Sequence, residues 1–299
     1  MNVYDMFLSF FTYGFLGWCT EVAFAAVKQR QFVNRGFLNG PICPIYGVGV
    51  TVVIAVLAQF TDHIVFLYLA STLLVTVLEG ITGYLLEKLF HHRWWDYSKM
   101  PLNIGGYVCV LFSFIWGIVC VLIVEFIHPL LYSLLLLIPK WLGITLLIGL
   151  CCALFTDIYV TAAGILKWNR RLDRLDEIAG ELHRISDQIG ENIYENMMTG
   201  IERQEKTREK AEALTEEVKL RREDMKVTAE ELKRKAAERR QRAEELRAKY
   251  EEMLTVPHKT GKRLLKAFPQ LKSKEHDVLV SDLRNRDVYK RQGMDDEAF

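Results

Sequence analysis

Charge is spread so unevenly along this chain that its distribution alone dictates most of the architecture. Residues 1–166 hold only about 7 of the 38 lysines and arginines and about 8 of the 37 aspartates and glutamates. The net charge of +1 is the average of two unlike parts. The first is a series of apolar runs, several of about 20 residues, long enough to cross a hydrocarbon core about 30 Å thick. The sequence therefore predicts an all-α chain: a polytopic membrane helix bundle over 1–166, a long charged cytoplasmic helix or coiled coil over 167–256, and a basic, disordered tail over 257–299.

Five spans are expected, at about 7–27, 45–61, 64–90, 105–127 and 141–166. The first has a sequence resembling a signal cleavage site, Ala23-Phe24-Ala25. Its start is acidic and Glu21 interrupts it, so it reads as a retained span. Ile127 to Ile138, bounded by Pro129 and Pro139, reads as a short helix or turn at the outer surface. Lysines and arginines concentrate in alternate loops, at Lys28, Arg30 and Arg35, at Lys88, Arg93 and Lys99, and from Lys167 onward. That pattern puts the N-terminus outside and the arm inside a bacterial plasma membrane. The lipid bilayer is thus the first partner. The six cysteines lack zinc-site spacing and read as packing thiols, with Cys43 alone in a polar loop. No metal, cofactor or nucleic acid is expected.

Within the apolar part, Arg35-Gly36-Phe37-Leu38-Asn39-Gly40-Pro41-Ile42-Cys43-Pro44-Ile45-Tyr46-Gly47 cannot be regular helix. Its prolines and glycines leave backbone groups in need of partners, and such backbone survives at membrane depth only inside protein or around a wet cavity. Asn39, Gly40, Pro41, Pro44 and Gly47 form one broken loop. A second, holding Trp95-Asp96-Tyr97 and Asn103-Ile104-Gly105-Gly106, is its counterpart. Each follows a span carrying a glutamate, Glu21 and Glu79, in a loose internal repeat.

Acids inside a span cost about 2.5–3.5 kcal/mol on insertion scales and call for a reason. Counted from the outer ends, Glu21, Glu79 and Asp157 fall at nearly one depth, about 21–24 Å in, and Glu79, Gly83 and Glu87 share one helical face. Two readings stand. The acids could line a vestibule that holds a proton, a cation or a cationic group. Alternatively, each pairs with Arg35, Arg93 or a free loop amide and only locks the bundle. In the arm, Leu175, Ile178, Leu182, Ile185 and Ile189 keep a coiled-coil spacing, resumed from Met225 through Met253. A homodimeric coil is the expected use of that seam, and a lone charged helix the alternative. Around Leu264, Leu265 and Phe268 the tail is basic enough to lie on anionic headgroups, with a solvated segment as the other reading. The run Asp287 to Gln292 looks like translated sequencing adapter.

Gly17-Trp18 with Glu21, the Arg35–Gly47 loop, Glu79 with Gly83 and Glu87, Trp95-Asp96-Tyr97, Asn103 to Tyr107, and Trp116-Gly117 together resemble the bacterial CmpB-like ABC-transporter type IV proteins, over about residues 5–165. The resemblance implies a multi-span permease. The chain has no Gly-x-x-x-x-Gly-Lys-Ser/Thr motif, so ATP would be used by a separate ATP-binding subunit, and no enzyme activity is expected of this chain. The site predicted for a substrate or ion comprises Glu21, Glu79, Glu87, Arg35, Asn39, Asn103, Trp95, Asp96 and Tyr97, on a backbone shaped by Gly40, Pro41, Pro44, Gly47, Gly105 and Gly106. The competing expectation is a non-transporting scaffold or sensor that acts through its coil.

Overall fold

The computed structural model describes residues 1–209, 217–255 and 258–291. It divides into two compact units: residues 1–170 together with the segment from His258 on, and residues 171–257.

The first unit is built on helix α1 (Val3–Gln29), started by the Asn2 side chain, which accepts from the Asp5 amide, and ended by Arg30 in a left-handed conformation. Helix α2 (Pro44–Leu57) follows and tightens into a 3₁₀ turn through Phe60. Helix α3 (Ile64–Phe90) matches α1 in length and in ending, with His91 left-handed at its C-terminus. After it come the short strands β1 (His92–Arg93), β2 (Asn103–Ile104) and β3 (Val108–Cys109), then helix α4 (Val110–Leu122).

The apolar stretch after α4 does not stop at a surface turn. A π-helical turn (Ile123–Ile127) carries it directly into α5 (His128–Leu135). Pro129 follows the π-turn directly, where the His128 N–H reaches back to the Ile123 carbonyl, so the hydrogen-bond ladder shifts beside the residue that has no N–H to give and the apolar run continues as one long element. Helix α6 begins at Lys140 and runs to Glu209.

Four elements are long and apolar enough to cross a membrane: Val3–Gln29, Ile64–Phe90, Val110–Leu135 and Lys140–Glu191. The fifth expected span, Pro44–Phe60, is shorter. The reason lies in the chain before it. The Cys43 amide donates to the Gly14 carbonyl (2.9 Å), near the middle of α1, so the loop from Arg30 has climbed back along about 15 residues of α1, roughly 22 Å. Only the remaining depth is left for α2. Gly47 permits the approach, because a Cβ there would stand 2.6 Å from the Phe10 carbonyl oxygen.

Tyr13, Val53, Ile54, Leu57, Leu67, Cys120 and Val124 form the core where α1 to α4 meet. Leu8 and Phe11 join α1 to Leu147 of α6, with Ile42 of the loop packed against them. Large apolar residues such as Leu73, Ile118 and Phe155 point outward, as expected where lipid is the solvent.

The segment expected to be a disordered tail is folded over residues 258–291. Helix α8 (Lys259–Ala267), strand β4 (Lys272–Ser273) and helix α9 (Asp277–Arg291) pack on the first unit. Ala267 is buried with Ala25 of α1 and Val33, and β4 pairs antiparallel with β1. Of the residues placed on a headgroup surface in one of the two sequence readings, Leu264 and Leu265 are buried in protein and Phe268 is half-buried; Leu271 is buried with them. Residues 292–299, including Gln292 of the adapter-like run, lie outside the described residues.

In the second unit, the charged part of α6 runs beside α7 (Glu217–Thr255). Arg171 donates to the Met253 carbonyl and Arg242 pairs with Glu181 (3.2 Å), so the two helices are antiparallel. Leu172, Leu175, Ile178 and Leu246 are buried along them. Of the seam residues, Leu175, Ile178 and Leu246 are buried within the single chain, and Leu182, Ile185 and Ile189 are half-buried. Farther out Leu232 is exposed, and the side chains of Met225 and Ala229 lie outside the described residues.

Candidate functional site

Each broken loop, loop one between α1 and α2 and loop three between α3 and α4, closes on a carboxylate of the helix before it. In loop one, Arg35 Nε lies 3.2 Å from Glu21 Oε2, and the Tyr46 hydroxyl donates to Glu21 Oε1 (2.7 Å). In loop three, Arg93 donates to Glu87 Oε2, and the Tyr107 hydroxyl donates to the same oxygen (2.9 Å). Both loops are therefore held by a glutamate of the preceding helix, an arginine from the loop and a tyrosine from the returning chain. The repeat is real in this respect, but the partner of Glu21 is Glu87. Glu79, which the sequence pattern pairs with Glu21, has no counterpart at loop one.

Loop one is also clamped from α6. Asp157 accepts from the Asn39 amide (3.1 Å), the Asn39 side chain (2.9 Å), the Gly40 amide (2.7 Å) and Thr161 (3.2 Å). These are the orphan loop amides the sequence left open, and Asp157 satisfies two of them at once. Asn34 holds the loop from within, accepting from Trp18 Nε1 (2.8 Å) and the Gly36 amide and donating to the Asn39 carbonyl. Pro44 occupies the first turn of α2, and Pro41 is exposed. Burial, with Glu21 behind it, pushes the Cys43 thiol up to about 12.

Loop three is a tight hairpin. Gly105 and Gly106, with φ of +60° and +77°, make a turn closed by the Tyr107 amide to the Ile104 carbonyl (3.2 Å), a conformation that side chains oppose. Asn103 serves the turn, donating to the Met100 carbonyl (2.8 Å) and accepting from the Gly106 amide. Trp95 Nε1 donates to the Tyr107 carbonyl (2.8 Å). Asp96 accepts from Ser98 and from Lys272 of β4 (2.6 Å). Lys272 first, then Ser98, holds the Asp96 carboxyl well below the usual carboxylate range.

Glu79 stands apart from these locks. The Tyr97 hydroxyl donates to its Oε1 at 3.3 Å, and Oε2 is buried with no hydrogen-bonding partner among the described residues. Burial first, then the charges of Glu79 and Glu21, pushes the Tyr97 phenol above its ordinary value.

The structure brings Glu21 together with Arg35, Glu87 with Arg93, and Glu79 with Tyr97. Asn103, Trp95 and the glycines of loop three shape the loop itself. Reading the sequence for chemistry missed Tyr46, Tyr107, Asn34 and Thr161. The two tyrosines lie inside the motifs that carry the family resemblance, and their placement just before or after the start of a returning helix was the available signal. Nothing in the sequence tied Lys272 or Arg263 to the loops.

A family model described as "Putative ABC-transporter type IV" matches residues 8–162, which takes in both loops, all four acids and none of the segments after Ala162. Among curated proteins and among solved structures, nothing matches the chain.

Proposed function

The chain belongs to that ABC-transporter type IV family, and from this membership we propose that it is the membrane component of a transport system, with Glu79 and Tyr97 on its pathway. The observation that carries the assignment is the unpartnered, buried Oε2 of Glu79. Glu21, Glu87 and Asp157 each have their charge answered by an arginine or by several donors. Glu79 has one long hydrogen bond. A buried acid in that state favours taking up a proton or a cationic group. Loops one and three, held rigid by their own locks, form the walls. In this reading the N-terminus lies outside and the charged arm inside the plasma membrane, following the basic loops. Energy comes from a separate ATP-binding subunit or from an ion gradient.

Cation and proton flux into liposomes holding the purified protein and a trapped pH- or potassium-sensitive dye tests this. Glu79→Gln is expected to abolish flux while Glu21→Gln, whose partner is a structural arginine, reduces it less. Flux unchanged in Glu79→Gln ends the assignment.

A second reading rests on the antiparallel helices of the second unit, over residues 171–209 and 217–255, whose sequence is densely charged. Here the bundle anchors a scaffold that recruits partners. Removing residues 171–257 separates the two: transport that survives the deletion belongs to the bundle, and a cellular phenotype lost with it belongs to the second unit.

A further inference from the structure

Three consecutive carbonyls of loop one, those of Gly36, Phe37 and Leu38, converge on one guanidinium. Arg263 Nη1 donates to Gly36 (3.0 Å) and Leu38 (3.0 Å), and Nη2 donates to Phe37 (2.8 Å). A helix or sheet would have satisfied these carbonyls; here a side chain more than 220 residues away does so. We propose that these carbonyls are a guanidinium-binding cradle, and that Arg263, occupying it as a tethered ligand, makes the C-terminal segment the latch that holds loop one in place.

The segment is built to present that side chain. Gly261, in the first turn of α8, packs under the Trp168 indole, Leu264 and Leu265 are buried, and Ala267 packs on Ala25 and Val33 at the base of loop one. A second tether, Lys272 to Asp96 with β4 on β1, fixes the same segment to loop three. The cradle also has a reason to prefer a cation. Burial lowers the Arg263 pKa, and Asp157, which holds the next two residues of the loop, offsets part of that cost. A planar fork can reach three carbonyls that an ammonium, a single point, cannot reach with equal geometry. What the latch controls is the backbone immediately before Asn39 and Gly40, and so the position of the loop wall that reaches Glu21 through Arg35. Arg263 lies beyond the residues that the family model matches.

Cys43 reports on the loop, because it is buried at the loop's end. In the full-length protein in detergent, maleimide labelling of Cys43, located by peptide mass, is expected to rise about tenfold or more in Arg263→Ala, as local opening replaces charge-assisted hydrogen bonds. Adding methylguanidinium at tens of millimolar should restore protection, and methylammonium at the same concentration should not. Labelling that stays at the unmodified rate in folded Arg263→Ala overturns the proposal. So does raised labelling that methylguanidinium fails to reverse, since the segment as a whole would then hold the loop. If Arg263→Ala does not accumulate, Arg263→Lys carries the test, with intermediate labelling expected and unchanged labelling overturning it.

Discussion

Loops one and three solve the same problem by the same three residue types, yet they differ in depth and in what finishes them. Loop one climbs about 15 residues back along α1, roughly 22 Å, to Gly14. In loop three, Tyr107 packs at Gly83 and Val108 at Gly80 of α3, about 10 residues, or 15 Å, from the helix end. The deeper loop leaves α2 too short to span; the shallower one leaves room for Val110–Leu135 to do so. Loop one depends on Asp157 and Arg263 for the amides and carbonyls of residues 36–40, whereas loop three, though tied from outside by Lys272 and β4, closes its glycine turn on its own hairpin. Irregular backbone placed farther from water has more polar groups to satisfy with protein. What loop three has in addition is Glu79, an acid left over once Glu87 has taken the role that Glu21 plays in loop one.

Breaking the two carboxylate locks in parallel measures this difference most directly. Arg93→Met strands Glu87, whose side chain is only 12% exposed, and should cost about 3–5 kcal/mol, the range for a buried pair deprived of one partner. Arg35→Met strands a more accessible Glu21, at 24%, and should cost about 1.5–3 kcal/mol, the worth of hydrogen bonds to a charged group. Unfolding in mixed micelles gives both values. Adding Glu87→Gln to Arg93→Met should recover part of the loss, since the buried charge goes with it. Equal costs for the two arginines would mean the loops are equivalent and the depth difference carries no energy.

A smaller contrast separates the asparagines. Asn39→Ala removes bonds to Asp157 and Thr161 across to another helix and should cost about 1–3 kcal/mol. Asn103→Ala removes bonds within its own turn and should cost about 1 kcal/mol. Amide exchange at residues 36–43 should accelerate in the first variant only.

The bundle itself was legible from run length, because about 20 apolar residues admit few other structures. The shortness of α2 was not: Ile45 to Thr61 is apolar enough, and only the contact of Cys43 with Gly14 shows how much depth the loop has consumed. The acids were legible as costly residues but not their assignments, because Glu79 and Glu87 share a helical face and the sequence does not say which one meets Arg93. The C-terminal segment misled for a physical reason. Leu264, Leu265 and Phe268 among lysines satisfy the pattern for a membrane surface and the pattern for docking onto protein equally well. Only the carbonyls waiting in loop one, far away in sequence, distinguish them.

The smallest effect should come from pH, and it bears on loop three alone, because that loop's strand β1 carries the buried His92. This imidazole stacks on Trp168 and shares a hydrogen with Asn169 (2.7 Å). Burial pulls its pKa below the ordinary value, aided by the neighbouring His276 and His91, while Asn169 and Glu275 oppose the shift. A histidine whose folded pKa is depressed contributes stability that is fully present above its unfolded pKa, about 6.5, and is lost as pH falls toward the folded value. Acidifying from pH 7.5 to about 5 should therefore loosen the β1–β4 pairing, seen as faster amide exchange at residues 92–93 and 272–273. The Asp96 to Lys272 tether should persist over that range, because its carboxyl stays ionised. Loop one, with no histidine within it, should keep its Cys43 protection. His92→Gln should remove the pH response of loop three without shifting the labelling of loop one. Cys43 exposure that follows the same acid titration would show that the C-terminal segment releases both loops together, and that the two tethers act as one.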